Sequence, residues 1–159
     1  MFPVISVVGW HNVGKTTLVE GLIRRLKAAG CRVATIKHAH LAPTLDQSGT
    51  DTYRYGEAGS DIIGLVSHDV TTFQMRTGDT ADLEQLLAAI PCDMDLVIVE
   101  GYKRATLPKL EVCEPGRPEP IAHAFELIAA IERGGDMAND VERVLEALAE
   151  RGFVDNRFV

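Results

Sequence analysis

With 159 residues, against about 150 for an average domain, the chain is expected to form a single domain spanning 1–159. Its 16 Lys and Arg against 23 Asp and Glu leave a formal charge of −7; this excludes a nucleic-acid binder that works by bulk electrostatics, but not a local basic pocket for a small phosphate ligand. The longest apolar runs, such as Leu127–Ile131, fall far short of the ~20 residues of a membrane span, so no membrane contact is expected.

The first residues, Met1 to Val8, carry no basic segment, and the first cation is Lys15; they read as a strand, not as a signal peptide. Cys31, Cys92 and Cys113 are few, odd in number and form no CxxC pair, which argues against a disulfide frame or a zinc knuckle. A cytoplasmic chain is the expectation.

Val4–Val8 is a short apolar run that stops at Gly9, the pattern of a fully buried parallel strand. From Thr16 the period changes: Leu18, Leu22, Leu26 and Ala29 recur at helical spacing, and Gly30 stops the helix. Arg32–Lys37 is a second strand, which completes a βαβ unit. The polar stretch Ala39–Gly49 reads as a loop, and Asp51–Ala58 as a short helix stopped by Gly59. Ser60–Ser67 and Val70–Arg76 read as two strands joined by a tight turn at His68-Asp69. Asp79–Ile90 is helical, with Leu83, Leu86, Leu87 and Ile90 on one stripe and Pro91 at its end. Leu96–Val99, Lys109–Cys113 and Glu126–Ile131 are three further strands. The last helix opens at Asn139, with Glu142 three residues on in a capping box, and its stripe is Val141, Val144, Leu145 and Leu148. Alternating strands and amphipathic helices predict a three-layer α/β fold, a mostly parallel sheet flanked by helices.

Gly9-Trp10-His11-Asn12-Val13-Gly14-Lys15-Thr16 matches G-x-x-x-x-G-K-[ST], with the required strand before it and helix after it. Gly9 and Gly14 let the backbone bend so that its N–H groups converge on phosphate oxygens, and the helix turns its positive end toward the same anion. Lys15 can reach the terminal phosphates, and the Thr16 hydroxyl can ligate Mg²⁺. A magnesium site also needs an acid at the end of a neighbouring strand, and Glu100 ends the apolar run 96–99. There it can hold the metal through water or orient an attacking water. Asp95, at the opposite end of that strand, reads as a strand start.

Two more acids follow the second strand. Asp46 opens a D-x-x-G, the nucleotide-sensing pattern of many GTPases, although no apolar strand directly precedes it; Asp51 is a metal candidate, or the cap of the helix it begins. His11, His38 and His40 suggest a transition-metal site, but lack a third ligand at convincing spacing, so a polar loop near the phosphates is preferred. Lys37, His38, Lys103, Arg104 and Lys109 can supply cations around the ligand edge.

The segments Ile36-Lys37-His38-Ala39-His40, Gly49-Thr50-Asp51-Thr52-Tyr53-Arg54, Glu57-Ala58-Gly59, Val97–Lys103 and Pro108–Val112 together resemble the signature of the molybdopterin-guanine dinucleotide biosynthesis adapter protein family, MobB. The resemblance runs in order to about Val112. It implies a P-loop NTPase fold and a GTP-binding protein with weak intrinsic hydrolysis. It also implies a homodimer that works beside molybdopterin guanylyltransferase and other molybdenum cofactor enzymes. Carried over by position, Gly9, His11, Asn12, Val13, Gly14, Lys15, Thr16 and Thr17 would hold the phosphates of GTP. Thr16 and Glu100 would lie near Mg²⁺, with Asp51 as a third ligand, and Lys15 and Glu100 would serve catalysis. One departure from ordinary GTPases is plain: after Glu126–Ile131 no N-K-x-D base-reading motif occurs, and Glu132-Arg133-Gly134-Gly135-Asp136 stands there. Asp136 is the acid available to read the base. The alternative reading is a small-molecule kinase or ATP-dependent ligase of the dethiobiotin synthetase-like P-loop group, with Arg104 and Arg117 as lid arginines. A metallochaperone GTPase would want a Cys/His cluster, which the scattered cysteines do not make.

Overall fold

The alternation of apolar runs with helical stripes is realised, in the computed structural model, as β1 (Val4–Gly9), α1 (Lys15–Ala28), β2 (Val33–Lys37), α2 (Asp51–Glu57), β3 (Ile62–Val66), β4 (Thr71–Met75), α3 (Leu83–Ala88), β5 (Leu96–Glu100), β6 (Lys109–Cys113), β7 (Leu127–Glu132) and α4 (Met137–Glu150). The residues described are 2–39, 46–76, 82–90, 93–116, 121–123 and 126–159. The chain divides into two compact units, 1–39 with 92–159, and 40–91.

In the first unit five strands form one sheet in the order β2-β5-β1-β6-β7, parallel throughout. β1 and β5 lie near its middle and are buried along most of their length, which is why both are near-continuous apolar runs, with Ser6 the one polar residue inside β1, instead of alternating ones. The α1 stripe of Leu18, Leu22 and Leu26 is fully buried. α4 packs beside α1 through Val141, Val144, Leu145 and Leu148. Between the two helices a Cβ on Gly21 would come within 2.6 Å of Val141 Cγ2, and Arg25 Nε donates to Glu142 Oε1 at 2.8 Å. A mostly parallel sheet flanked by helices is therefore present, as expected. Asp95 is a strand start as expected: its Oδ2 accepts from Arg32 N–H at 2.7 Å, and its own N–H donates to Arg32 O at 2.8 Å.

The second unit holds the antiparallel β3–β4 hairpin, paired from Ile62↔Met75 to Val66↔Thr71, together with α2 and α3. Residues 79–81 and Pro91, at the ends of the expected helix Asp79–Ile90, lie outside the described residues. α3 begins after Asp82, whose Oδ1 accepts from Glu84 N–H at 3.1 Å.

One helix start, one cap and one cation differ from expectation. α4 begins one turn earlier than Asn139: Asp136 is its N-cap and accepts from Ala138 N–H at 3.1 Å. The reason is packing, because the buried Asp140 turns back toward the 132–135 turn, where a Cβ on Gly135 would meet its Oδ2 at 3.1 Å. Asp140 N–H donates to Asp136 O at 2.9 Å, which sets residue 140 one full turn inside the helix. α2 is capped by Thr50, whose hydroxyl accepts from Tyr53 N–H at 3.2 Å, so Asp51 sits in the first turn and is not the cap. Lys109 is no ligand-edge cation. It starts β6, at the end of the sheet opposite the loop 9–16, and is 1% exposed. Its ammonium is used up by Glu126 Oε2 at 2.7 Å and by the carbonyls of Ala105 and Leu107 at 2.6 and 3.1 Å.

Candidate functional site

In an open parallel sheet, ligands bind beyond the carboxyl ends of the strands, where neighbouring strands send their chains in opposite directions. Here that point is the β1/β6 border: β1 leads toward β2 on one side and β6 leads to β7 on the other. The loop 9–16 stands there. A Cβ on Gly9 would fall 2.4 Å from Val112 O of β6 and 2.9 Å from Val13 Cγ2, so only glycine lets the loop lie this close to the strand. Gly9→Ala is expected to distort the loop and to weaken nucleotide binding at least tenfold, read by calorimetric titration. Val13 is 1% exposed and pins the loop to the core, while His11 and Asn12 just before it are exposed. Asn12 has φ 60° and Gly14 φ 103°, both in the left-handed region that a tight anion-binding turn requires.

α1 begins directly after Gly14, with no side-chain cap and no acidic residue in its first turn. Its first intrahelical bond is Leu18 N–H to Gly14 O at 3.1 Å, which leaves the amides of Lys15, Thr16 and Thr17 outside the helical ladder. An uncapped, acid-free helix start presents donors and positive potential to an anion.

The polar side chains meet beside it. Thr16 Oγ1 lies 3.1 and 3.3 Å from the two carboxylate oxygens of Glu100. Glu100 Oε1 also pairs with Lys37 Nζ at 3.3 Å, and the Glu100 side chain is 13% exposed. Lys37 and Glu100 are register partners at the ends of β2 and β5, so strand pairing itself sets the ion pair. Lys15 Nζ donates to Trp10 O at 2.6 Å. Burial pushes the Lys15 pKa below the usual lysine range; the Glu100 carboxylate works against this, and the ammoniums of Lys103 and Lys37 work with it. A hollow of about 250 Å³ opens next to these groups, walled by Thr16, Val19, Ile23, Lys37, Ile98 and Glu100. A larger one of about 550 Å³ lies around Pro3, Asp95 and Arg157, near the start of β1, away from the loop.

A hydroxyl and a carboxylate that already face each other form a hard oxygen donor pair of the kind Mg²⁺ takes together with substrate phosphates. Among the described residues no group of three His, Cys, Asp or Glu side chains could hold a metal ion, and His40 lies outside them. His38 is engaged otherwise: its backbone N–H donates to Glu100 O at 3.0 Å, and its ring lies 4.8 Å from that of Tyr102. Arg104 is exposed, and Arg117 lies outside the described residues. Asp136, the acid offered for base reading, is committed to the α4 cap.

Asp46 and Asp51 belong to the second unit. Asp46 Oδ1 accepts from Gln47 N–H and Thr50 Oγ1, both at 2.8 Å. The Thr52 and Thr50 hydroxyls hold its carboxyl below the usual carboxylate range. It organises the turn into α2. Asp51 is 80% exposed and pairs with Arg54 at 3.7 Å. Two features escaped the sequence reading. Trp10, a large aromatic in an otherwise small and polar loop, carries Lys103 Nζ 5.0 Å from its ring centroid. Ser6, inside the buried β1, donates to Gly101 O at 2.7 Å and so positions the segment that follows Glu100.

Comparison with known proteins fits this geometry. A curated molybdopterin-guanine dinucleotide biosynthesis adapter protein of Escherichia coli is 30% identical over 163 residues, covering 94% of this chain and 93% of the relative. One of Haemophilus influenzae is 32% identical over 130 residues, covering 81% and 73%. The crystal structure of Bacillus subtilis MobB superposes with a TM-score of 0.68 at 23% identity, over 92% of this chain and 98% of that one, a likeness of fold. The model of the family described as molybdopterin guanine dinucleotide synthesis protein B, MobB, matches residues 4–133, and the chain belongs to that family.

Proposed function

We propose that this chain is a GTP-binding adapter with slow, Mg²⁺-dependent GTPase activity that acts beside molybdopterin guanylyltransferase and other enzymes of molybdenum cofactor biosynthesis. The observation that carries the reading is the meeting of three groups at one sheet edge: the loop 9–16 with its uncapped helix start, the Lys15 ammonium, and the Thr16–Glu100 pair. The loop amides of Gly9 to Thr17 bind the phosphates, Lys15 neutralises them, and Thr16 and Glu100 hold Mg²⁺. When bound, the ion supplies charge neutralisation on the phosphate oxygens.

The Glu100 carboxylate is already engaged by Lys37 and Thr16, and no arginine of the described residues is held against the loop. Turnover is accordingly expected well below the ~10 s⁻¹ of a median enzyme. A slow hydrolase suits an adapter, in which the bound nucleotide selects a conformation for a partner to recognise. A homodimer is supported by the β3–β4 hairpin: Ile62, Leu65, Val66, Phe73 and Met75 are all exposed on it, and a two-stranded ribbon is marginal in water by itself. A second copy laid on this ribbon would cover its apolar surface. A cytoplasmic location is part of the proposal; among the described residues no helix is long and apolar enough to cross a membrane.

Calorimetric titration with GTP and ATP in the presence of Mg²⁺, followed by single-turnover hydrolysis with and without small-molecule acceptors, tests the reading. Fast turnover with an acceptor would make the protein a kinase or ligase instead. In the same assay Glu100→Gln keeps the shape of the side chain and removes its charge. Hydrolysis is expected to fall on the order of a hundredfold, while affinity changes far less. Wild-type rates in that variant at saturating Mg²⁺ would reduce Glu100 to a strand end.

A further inference from the structure

Trp10 is the chain's single tryptophan, and it stands inside the phosphate loop, 46% exposed. Two ammonium groups use it: Lys15 on its carbonyl oxygen and Lys103 on its ring, at 2.6 and 5.0 Å respectively. Lys103 comes from the segment after β5, and that backbone is held in place. Tyr102 has φ 48°, uncommon for a bulky residue and maintained only where the surroundings impose it. The surroundings do so here through three contacts: Ser6 Oγ on Gly101 O at 2.7 Å, the His38 ring 4.8 Å from the Tyr102 ring, and Ala105 N–H on Tyr102 O at 2.9 Å. The turn 102–105 therefore directs Lys103 at the loop.

The cations at this edge are not equivalent. Lys37 is taken up by Glu100 at 3.3 Å, and Lys15 by a carbonyl oxygen within the loop. Lys103 rests against a neutral ring. A cation–π contact at an exposed site is weaker than a charge-assisted hydrogen bond to a phosphate oxygen, so Lys103 is the cation that an added phosphate recruits at least cost. Its charge also bears on the Lys15 ammonium, which places both groups at one electrostatic site.

We propose that Lys103 is a terminal-phosphate sensor: its ammonium, on the Trp10 indole in this structure, transfers to the terminal phosphate of a bound nucleoside triphosphate and stays on the indole with a diphosphate. The inference rests on the nucleotide reading of the loop and deepens it, because it gives the adapter a residue that distinguishes the two nucleotide states. Trp10 itself reports the transfer, since its emission depends on the charge over its ring.

The test titrates the full chain, with Mg²⁺, against GDP and against the β,γ-imido analogue of GTP, reading affinity and Trp10 emission together. The analogue is expected to change the emission and GDP to leave it as in the free protein. Lys103→Met is expected to weaken the analogue by roughly tenfold to a hundredfold, the loss of one charge-assisted bond, to leave GDP affinity unchanged, and to erase the emission difference. Lys103→Arg, which keeps the charge, should restore most of the preference. An unchanged ratio of analogue to GDP affinity in Lys103→Met overturns the sensor and leaves the loop reading standing. Failure of the wild-type chain to bind either nucleotide overturns both.

Discussion

Lys15→Ala weakens nucleotide binding roughly tenfold to several-hundredfold, the loss of one or two charge-assisted hydrogen bonds at about 1.5–3 kcal/mol each, and leaves the fold intact. The separation of the two effects follows from where Lys15 stands. In the free protein its ammonium makes one hydrogen bond, to Trp10 O, and its pKa is lowered by partial burial with Lys103 and Lys37 adding to the effect. The free protein therefore gains little from this charge, and a bound phosphate gains much. Calorimetric titration with GTP should show the loss, and a thermal melt of the free variant should coincide with wild type. Undiminished affinity would falsify the assignment of the loop.

Lys109→Ala has the opposite profile: it is expected to destabilise the fold by about 3–5 kcal/mol, the usual cost of removing one partner from a buried ion pair. Lys109 and Glu126 have side chains 1% and 9% exposed and lie 2.7 Å apart. The same ammonium satisfies the carbonyls of Ala105 and Leu107, so the truncation leaves a carboxylate and two carbonyls without their donor. At about 2–4 °C per kcal/mol for a chain of this size, the melting temperature should drop by roughly 10 °C. The double variant Lys109→Met, Glu126→Gln removes the orphaned charge and should recover part of the loss. A melt of the single variant that coincides with wild type would mean that water replaces the ammonium.

These two lysines mark the boundary between what the sequence conveys and what it does not. Lys15 is legible because its chemistry is local. The strand, the two glycines, the Lys-Thr pair and the following helix are contiguous, and backbone geometry over eight residues is enough to bring the open amides of the helix start and the Lys15 ammonium into one short loop. Glu100 is legible for a related reason: a carboxylate at the end of a wholly apolar run must emerge where a parallel strand meets the ligand edge. Lys109 looks, in sequence, like any cation near a loop. Its burial depends on β6 entering the sheet between β1 and β7, with Glu126 opposite and the 105–107 turn folded over it. Glu111 belongs with it: the sequence reading took it as part of a family signature, and it accepts from the amides of Ile121 and Ala122 at 2.7 and 3.0 Å, a structural clasp between segments ten residues apart.

Composition, periodicity and the loop motif alone determined the α/β class, the βαβ opening, the glycine-bent loop 9–16 and the strand-end acid, because each is set by interactions within a few residues. The start of α4 was decided by tertiary structure, since Asp136 and Asn139 are both good caps and only the packing of the buried Asp140 chooses between them. So were the pairing of Lys37 with Glu100, which needs β2 beside β5, and the seat of Lys103 on Trp10, which needs the turn after β5 brought over the loop after β1. The last two contacts join residues tens of positions apart in the chain, and such contacts exist only once the parallel sheet has fixed which strands are neighbours.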